Sequence, residues 1–344
     1  MIQELVSKLQ DGMNLTYDEV GAAMTEMLAG NTTTRENADF VAGLAEKGET
    51  DDELLAMLEK MQDASLKMDA AGAIDMCGTG GDGLRTFNVS TAASFIVAAA
   101  GGRVAKHGNY SSSGATGSAD MFEYFGYDLG QEPGQVESVL ERHGICFIFA
   151  QKFHPAMKNV AEARRLIGRR TAFNILGPLS NPAMVRDQLV GVACEEHLRR
   201  LPAILKKRGG RRIMTVRSAD GMDEFSTSSA NSVCMLKDEM TSDVVTPEDV
   251  GLHRSLPGDI SVGSKDEAVR AFARVLAGTA DRAMIETAAF NAGGGLVVAG
   301  IADSICDGVQ LALDTVKDGG AYRLLEGFVR DTGDIMKLEG IIRD

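Results

Sequence analysis

An α/β architecture with a mostly parallel central sheet, preceded by a small all-helical domain, is the fold class that the sequence predicts. Three observations carry it. The first 68 residues read as all-helical, with three capping-box signatures. From about residue 73 onward, strand and helix patterns alternate. The chain is 344 residues long, enough for a large core and two lobes.

The helical part starts its helices at Thr16-x-x-Glu19, Thr33-x-x-Glu36 and Thr50-x-x-Glu53. In each box a hydroxyl and a glutamate satisfy one another's backbone N–H groups. Gly30 and Gly48 follow two of these patterns, where a C-cap glycine belongs. Next come a strand over 73–76, a helix over 90–100, a strand over 103–106 and a helix over 118–125. A helix over 134–143 leads into a strand over 145–150, and a helix covers 156–167. A strand near 189–193, a helix near 196–208 and a strand over 212–217 complete the alternation. This order implies parallel strands joined by helical crossovers. Residues 228–245 read as an antiparallel excursion. Ser264-x-x-Glu267 caps another helix, and 283–299 is apolar on most faces, so it is expected to be buried. No low-complexity segment or fixed-period repeat occurs, and the best domain junction lies near residue 70.

Composition bounds the partners. Acids outnumber bases 49 to 35, for a formal charge of −14. That balance argues against nucleic acid or an anionic membrane, and an anionic ligand must be held by local cations or metal. Hydrophobic residues make up 44% and charged residues 24%, a composition expected of a soluble protein. Cys77, Cys146, Cys194, Cys234 and Cys306 are odd in number, and no CxxC occurs, so reduced thiols and a cytoplasmic location are expected. The N-terminus lacks the basic-then-apolar run of a secretory signal. Apolar runs such as 92–100 are too short to span a bilayer.

Chemistry concentrates in Asp75-Met-Cys-Gly-Thr-Gly-Gly-Asp-Gly83, then Phe87-Asn-Val-Ser-Thr91, then Lys106-His-Gly-Asn109. A glycine loop after a strand, a hydroxyl-rich helix start and a basic strand end together describe a pocket for a phosphorylated ligand. An isolated Gly-x-Gly-Gly also serves as a plain tight turn. The spacing matches neither the Rossmann fingerprint nor the Walker loop. Asp82 in such a loop either orients it through Asx-type bonds or accepts a ribose hydroxyl.

Asp223-Glu224 follows a β-branched strand pattern over 213–216. Adjacent acids are ordinarily solvated surface. At a strand's carboxyl end, however, two hard oxygen donors plus a serine hydroxyl suit Mg²⁺. Arg164-Arg165 and Arg169-Arg170 read either as a solvated basic helix end or as the source of one bidentate grip on a carboxylate. His107 and His154 lack zinc-ligand spacing, and no cysteine lies in a setting that would activate it.

The chain resembles the anthranilate phosphoribosyltransferases of tryptophan biosynthesis from its N-terminal helices to its C-terminus. The resemblance rests on Gly78-Thr-Gly-Gly-Asp82, Asn88-Val-Ser-Thr91, Lys106-His-Gly-Asn109, Gly117-Ser-Ala-Asp120, His154-Pro-Ala-Met157, Asn174-Ile-Leu-Gly-Pro-Leu179, Asn181-Pro182 and Gly221-Met-Asp-Glu224, in that order. It implies the fold shared with class II nucleoside phosphorylases. A small helical domain over 1–69, joined by helices from about 130–185, would stand beside a large α/β domain over 70–344. A homodimer through the small domain is also implied.

The implied reaction joins anthranilate to 5-phosphoribosyl 1-diphosphate (PRPP) with Mg²⁺, two ions being expected. No covalent nucleophile is expected. By resemblance, Gly78, Gly81, Asp82, Thr86, Asn88, Val89, Ser90, Thr91, Lys106, His107, Gly108, Asn109, Ser113 and Ser118 would bind PRPP. Gly78, Asn109 and Arg164 would face anthranilate, and Ser90, Asp223 and Glu224 would hold metal. The chain departs from the family's commoner pattern at Tyr110, Ala115, Gln151-Lys152 and Arg217-Ser218. The rival readings are a related phosphoribosyltransferase or nucleoside phosphorylase with another aromatic acceptor, and a catalytically retired binding relative. The acidic pair and the intact motifs weigh against both.

Overall fold

The computed structural model describes residues 1–80, 83–111 and 116–343. Along the chain come α1 (Ile2–Gln10), α2 (Tyr17–Ala29), α3 (Thr34–Lys47), α4 (Asp51–Asp63), β1 (Ile74–Gly78), α5 (Val89–Ala99), β2 (Val104–Gly108), α6 (Ser118–Tyr124), α7 (Pro133–His143) and β3 (Ile145–Phe149). Then follow α8 (Ala150–Phe153), α9 (Lys158–Ile167), α10 (Ala172–Leu179), β4 (Asp187–Gly191), α11 (Glu195–Lys207), β5 (Arg212–Ser218), β6 (Asn231–Leu236) and β7 (Met240–Val245). The helices α12 (Lys265–Leu276), α13 (Arg282–Ala299), α14 (Ile305–Lys317), α15 (Gly320–Thr332) and α16 (Ile335–Arg343) finish the chain. Two compact units result: Met1–Lys67 with Ala150–Met184, and Met68–Phe149 with Val185 onward. The chain re-enters the helical unit at Ala150, not near 130, because α7 packs on β3 in the sheet unit.

In the helical unit all three capping boxes form, with Thr16, Thr33 and Thr50 each accepting the N–H three residues on. Glu53 does more than cap. It is fully buried, accepts Leu15 N–H at 2.8 Å and pairs with Lys47 at 2.9 Å. Removing one partner of such a pair strands a buried charge, at a cost of about 3–5 kcal/mol. Phe40, Val41 and Leu44 of α3 face inward, and α9 packs against α3. Asn159 of α9 donates to Leu28 O at 2.7 Å, satisfying an end carbonyl of α2.

The other unit is built on one sheet with strand order β3-β2-β1-β4-β5-β6-β7. The pairs from β3 to β5 are parallel, and β6 and β7 return antiparallel. Ile145 to Ile148 of β3 form an unbroken buried run, as in parallel strands covered on both faces. α5 is buried nearly all round, from Thr91 to Val97. α13 packs against both α5 and α14.

Three successive glycines make that packing possible. A Cβ on Gly293, Gly294 or Gly295 would lie within 2.8 Å of Val309 of α14, Phe225 or Met76 of β1 respectively. Among the described residues, no helix is long and apolar enough to cross a membrane.

Candidate active site

The strand order reverses between β1 and β4. The chain steps outward from β1 through β2 to β3, then returns to the other flank of β1 with β4 and β5. In open α/β sheets a ligand crevice lies at the carboxyl ends of the strands beside such a switch point. Here the two ends are Gly78 and Gly191, and Thr79 N–H donates to Gly191 O at 2.9 Å. The acidic turn after β5 crosses directly over them. A Cβ on Gly78 would lie 2.3 Å from Asp223 Oδ2, and one on Gly191 would lie 1.5 Å from the Asp223 carbonyl. Neither position tolerates a side chain while the turn is in place.

That crossing delivers the two carboxylates to the phosphate-loop elements. Asp223 Oδ2 accepts Gly80 N–H at 2.6 Å. Glu224 Oε1 accepts Ser90 N–H at 3.0 Å, in the first turn of α5. The sequence led us to expect a hydroxyl cap at this helix start. Asn88 instead makes no capping bond and turns to Thr116, whose Oγ1 donates to Asn88 Oδ1 at 2.6 Å. Glu224 serves the helix N-terminus, where a negative charge is favoured by the dipole.

Asp220 holds the acidic turn. Its Oδ1 accepts the Ser218 hydroxyl at 2.5 Å and Met222 N–H at 3.2 Å. Its Oδ2 accepts the hydroxyls of Ser226, at 2.6 Å, and Ser228. Burial pushes the Asp220 carboxyl upward, but these donors outweigh it and hold the group below its usual range. On the far side of the pair, Asn291 of α13 clamps Phe225, accepting its N–H at 2.9 Å and donating to its carbonyl at 2.8 Å.

Lys106 to Gly108 end β2, and Asn109 follows it. Lys106 is only 2% exposed, and its Nζ donates to Met76 O at 2.8 Å and to Ser90 Oγ at 3.2 Å. Burial outweighs the neighbouring carboxylates Asp75 and Glu224 and holds its pKa below the usual lysine range. Asn109 O accepts Ala119 N–H at 3.2 Å and the Ser118 hydroxyl at 3.4 Å, so these two predicted residues meet. Val89 and Thr91 are buried, and Thr86 bridges Ser261. Gly81, Asp82 and Ser113 lie outside the described residues, as does Ala115.

The donor chemistry at the crevice fits Mg²⁺: two carboxylates and a hydroxyl, all hard oxygens, with room left for substrate oxygens. Among the described residues no cluster of three or more His, Cys, Asp or Glu side chains forms a further metal site.

The family profile described as the glycosyl transferase family a/b domain matches residues 70–322, and that of its helical bundle domain matches 3–65. The chain is 61% identical to the anthranilate phosphoribosyltransferase of Nitrosopumilus maritimus, over 99% of both proteins. The chain belongs to the anthranilate phosphoribosyltransferase family. The crystal structure of the Thermus thermophilus anthranilate phosphoribosyltransferase superposes with a TM-score of 0.88 at 35% identity, covering 97% of this chain and 99% of that one. The Saccharomyces cerevisiae enzyme, solved with PRPP and Mg, shares the fold at 23% identity, with a TM-score of 0.85 and 98% of each chain covered.

Within this anthranilate phosphoribosyltransferase, Tyr110 is engaged locally. Its hydroxyl donates to Glu123 at 3.0 Å and its ring meets Phe149 edge-on at 5.4 Å. Arg164 belongs to the helical unit, whereas Gly78 and Asn109 belong to the sheet unit. Its guanidinium lies over the Phe173 ring, 5.3 Å from the centroid. Arg164, Arg165, Arg169 and Arg170 line a groove of about 490 Å³ in the helical unit, and Arg169 pairs with Glu46 at 2.6 Å.

Three contributors escaped the sequence reading: Gly191, Asp220 and Asn291. Gly191 ends a strand beside the glycine loop, and Asp220 precedes the acidic pair among serines. Those placements were the available signals.

Proposed function

We propose that this chain transfers the 5-phosphoribosyl group of PRPP to the amine of anthranilate, giving N-(5-phosphoribosyl)anthranilate and pyrophosphate in tryptophan biosynthesis. The observation that carries this reading is the delivery of Asp223 and Glu224 to Gly80 and Ser90, at the switch point. A carboxylate pair beside an anion-binding loop repels phosphate unless a cation intervenes. The pair therefore points to a metal–diphosphate ligand.

PRPP is assigned to the glycine loop with Gly78, Gly81 and Asp82, to Thr86, to 88–91 at the start of α5, and to His107, Gly108, Asn109, Ser113 and Ser118. Lys106 is assigned to the same PRPP site, and its Nζ also donates to Ser90 Oγ at 3.2 Å. Asp223, Glu224 and Ser90 would hold Mg²⁺, with two ions assigned. Mg²⁺, when bound, supplies charge neutralisation for the leaving pyrophosphate.

The N–H groups at the loop and helix start add preorganised stabilisation. The neutral anthranilate nitrogen forms the bond to the anomeric carbon as the bond to pyrophosphate oxygen breaks. The amine proton leaves to water or a nearby carboxylate. Gly78 and Asn109 are assigned to the acceptor, and Arg164 to its carboxylate. Exposed Leu166 and Met184 in the helical unit support a homodimer formed through that unit. Five free cysteines support a reducing, cytoplasmic setting.

The test mixes PRPP, Mg²⁺ and anthranilate with the protein and follows loss of anthranilate fluorescence. Loss that requires all three components supports the assignment. Persistent fluorescence, with pyrophosphate released only when another aromatic acceptor is supplied, replaces anthranilate with that acceptor.

A further inference from the structure

Residues 257–265 lie outside the motifs assigned to PRPP, yet they bind both sides of that site. Beyond a 3-10 turn over Pro257–Ile260, the chain runs antiparallel to the exit of the glycine loop. Val262 N–H donates to Arg85 O at 2.7 Å and Phe87 N–H to Ile260 O at 3.3 Å, on either side of the Thr86–Ser261 bridge. Ile260, Val262 and Phe87 are buried, so packing backs these bonds. Glu267 Oε2 then accepts Gly263 N–H at 2.6 Å, and the Ser264 hydroxyl accepts Glu267 N–H at 3.2 Å, which starts α12.

The first residue of α12 is Lys265, and its Nζ donates to Asp120 Oδ1 of α6 at 3.0 Å. Oδ2 of the same carboxylate accepts Gly117 N–H at 2.9 Å. Burial pushes the Asp120 carboxyl upward, but Gly117 N–H and Lys265 help to outweigh it and hold the group below its usual range. Gly117 is pressed against the chain that follows β2: a Cβ there would lie 2.3 Å from Ser111 N and 2.5 Å from Asn109 O. Its neighbour Thr116 is bonded to Asn88 at 2.6 Å. These contacts close a ring, from 260–262 to 85–87, from Asn88 to Thr116 and from Asp120 to Lys265, with the chain joining each step to the next. Thr86, Asn88 and Ser118, all assigned to PRPP, lie on it.

A cation in the first turn of a helix opposes the dipole, and an ion pair whose lysine side chain is 41% exposed returns little stability. Placement is what the pair supplies. We propose that Lys265 is a positioning residue for the PRPP site: braced on Asp120, it closes the ring that sets Ser118 against Thr86 and Asn88. The inference rests on the PRPP site proposed above.

Calorimetric titration of PRPP in Mg²⁺ with wild type, Lys265→Met, Asp120→Ala and the double variant tests it, with steady-state kinetics and urea unfolding of each protein. Lys265→Met is expected to weaken PRPP about three- to tenfold, to move KM for anthranilate less than about twofold and to leave the urea midpoint nearly in place. Lys265→Arg, which keeps a donor for Asp120, is expected to restore PRPP binding to within about twofold. In the Asp120→Ala background, Lys265→Met is expected to add less than about twofold. An equal loss in both backgrounds means that the ammonium acts on PRPP directly or through its field, and overturns the proposal. Unchanged PRPP affinity in Lys265→Met overturns it too, as does a loss that comes with a lowered urea midpoint and a matching rise in KM for anthranilate. If Asp120→Ala does not fold, Asp120→Asn, which removes the charge and keeps the shape, takes its place. Wild type that binds no PRPP overturns the functional reading and this inference with it, whereas wild type and Lys265→Met that bind PRPP equally overturn the inference alone.

Discussion

The planar Arg164 guanidinium lies over the Phe173 ring at cation–π distance, 5.3 Å from its centroid. A carboxylate held this way is worth about 1.5–3 kcal/mol, or ten- to hundredfold in affinity. Arg164→Ala should therefore raise KM for anthranilate by that factor and leave KM for PRPP nearly unchanged; steady-state kinetics with each substrate varied is the check, and equal losses point to a structural role.

His154 gives a pH effect of defined sign. Burial, opposed by bonds with Met61 and Ser180, drives its pKa down from 6.5 to about 4. Between those values the unfolded chain binds the proton and the folded chain does not, so stability is intact above about pH 6.5 and is lost as pH falls toward 4. The loss is about 3 kcal/mol. In His154→Gln the urea midpoint should fall less steeply across that window.

Among single residues, Gly78 was legible because a glycine loop after a strand has a recognisable spacing. Gly191 was not, since what forbids a side chain there is Asp223, 32 residues on in sequence, and only the fold brings it overhead.

The acidic turn shows what an element adds to its residues. Asp223 and Glu224 were readable as candidate metal ligands from their place after a strand pattern. Their support was not, because Asp220 gathers hydroxyls from Ser218, Ser226 and Ser228, a pattern that any polar loop shares. Asp220→Ala removes the acceptor that the three hydroxyls share. It should cost about 1–3 kcal/mol of stability and raise the Mg²⁺ concentration for half-maximal activity by about tenfold. Asp223→Asn with Glu224→Gln should abolish the Mg²⁺ response while circular dichroism stays native. If that double variant keeps its Mg²⁺ dependence, the metal assignment is wrong. The start of α5 was located within one residue, but its cap was misread, because Glu224 arrives from another element.

At the scale of the whole molecule, a protein of net charge −14 must bind substrates that are themselves anionic. Long-range attraction is unavailable, so local cations and metal carry the neutralisation. PRPP should bind weakly at low Mg²⁺. Tyr110→Arg with Ala115→Lys, which adds two cations, should tighten it about three- to tenfold there, and less as Mg²⁺ rises. Calorimetric titration at several Mg²⁺ levels compares the two proteins. The change of periodicity suggested a junction near residue 70, and the two compact units part at Lys67 and Met68. The return of the chain to the helical unit was expected only through the family resemblance, over about 130–185, since an amphipathic helix reads alike whichever unit it packs in; the compact helical unit takes in 150–184.

The glycine triplet of α13 has a kinetic consequence. Three glycines lower intrinsic helicity by about 3 kcal/mol, so α13 does not nucleate. It forms when β1, Phe225 and α14 are already present to receive it, and its substitutions should give φ-values near zero. Asn291, on that same late helix, locks Phe225 beside Glu224. The acidic turn proposed to hold metal should therefore be finished after the folding barrier has been crossed, and bound substrate should slow unfolding without hastening refolding.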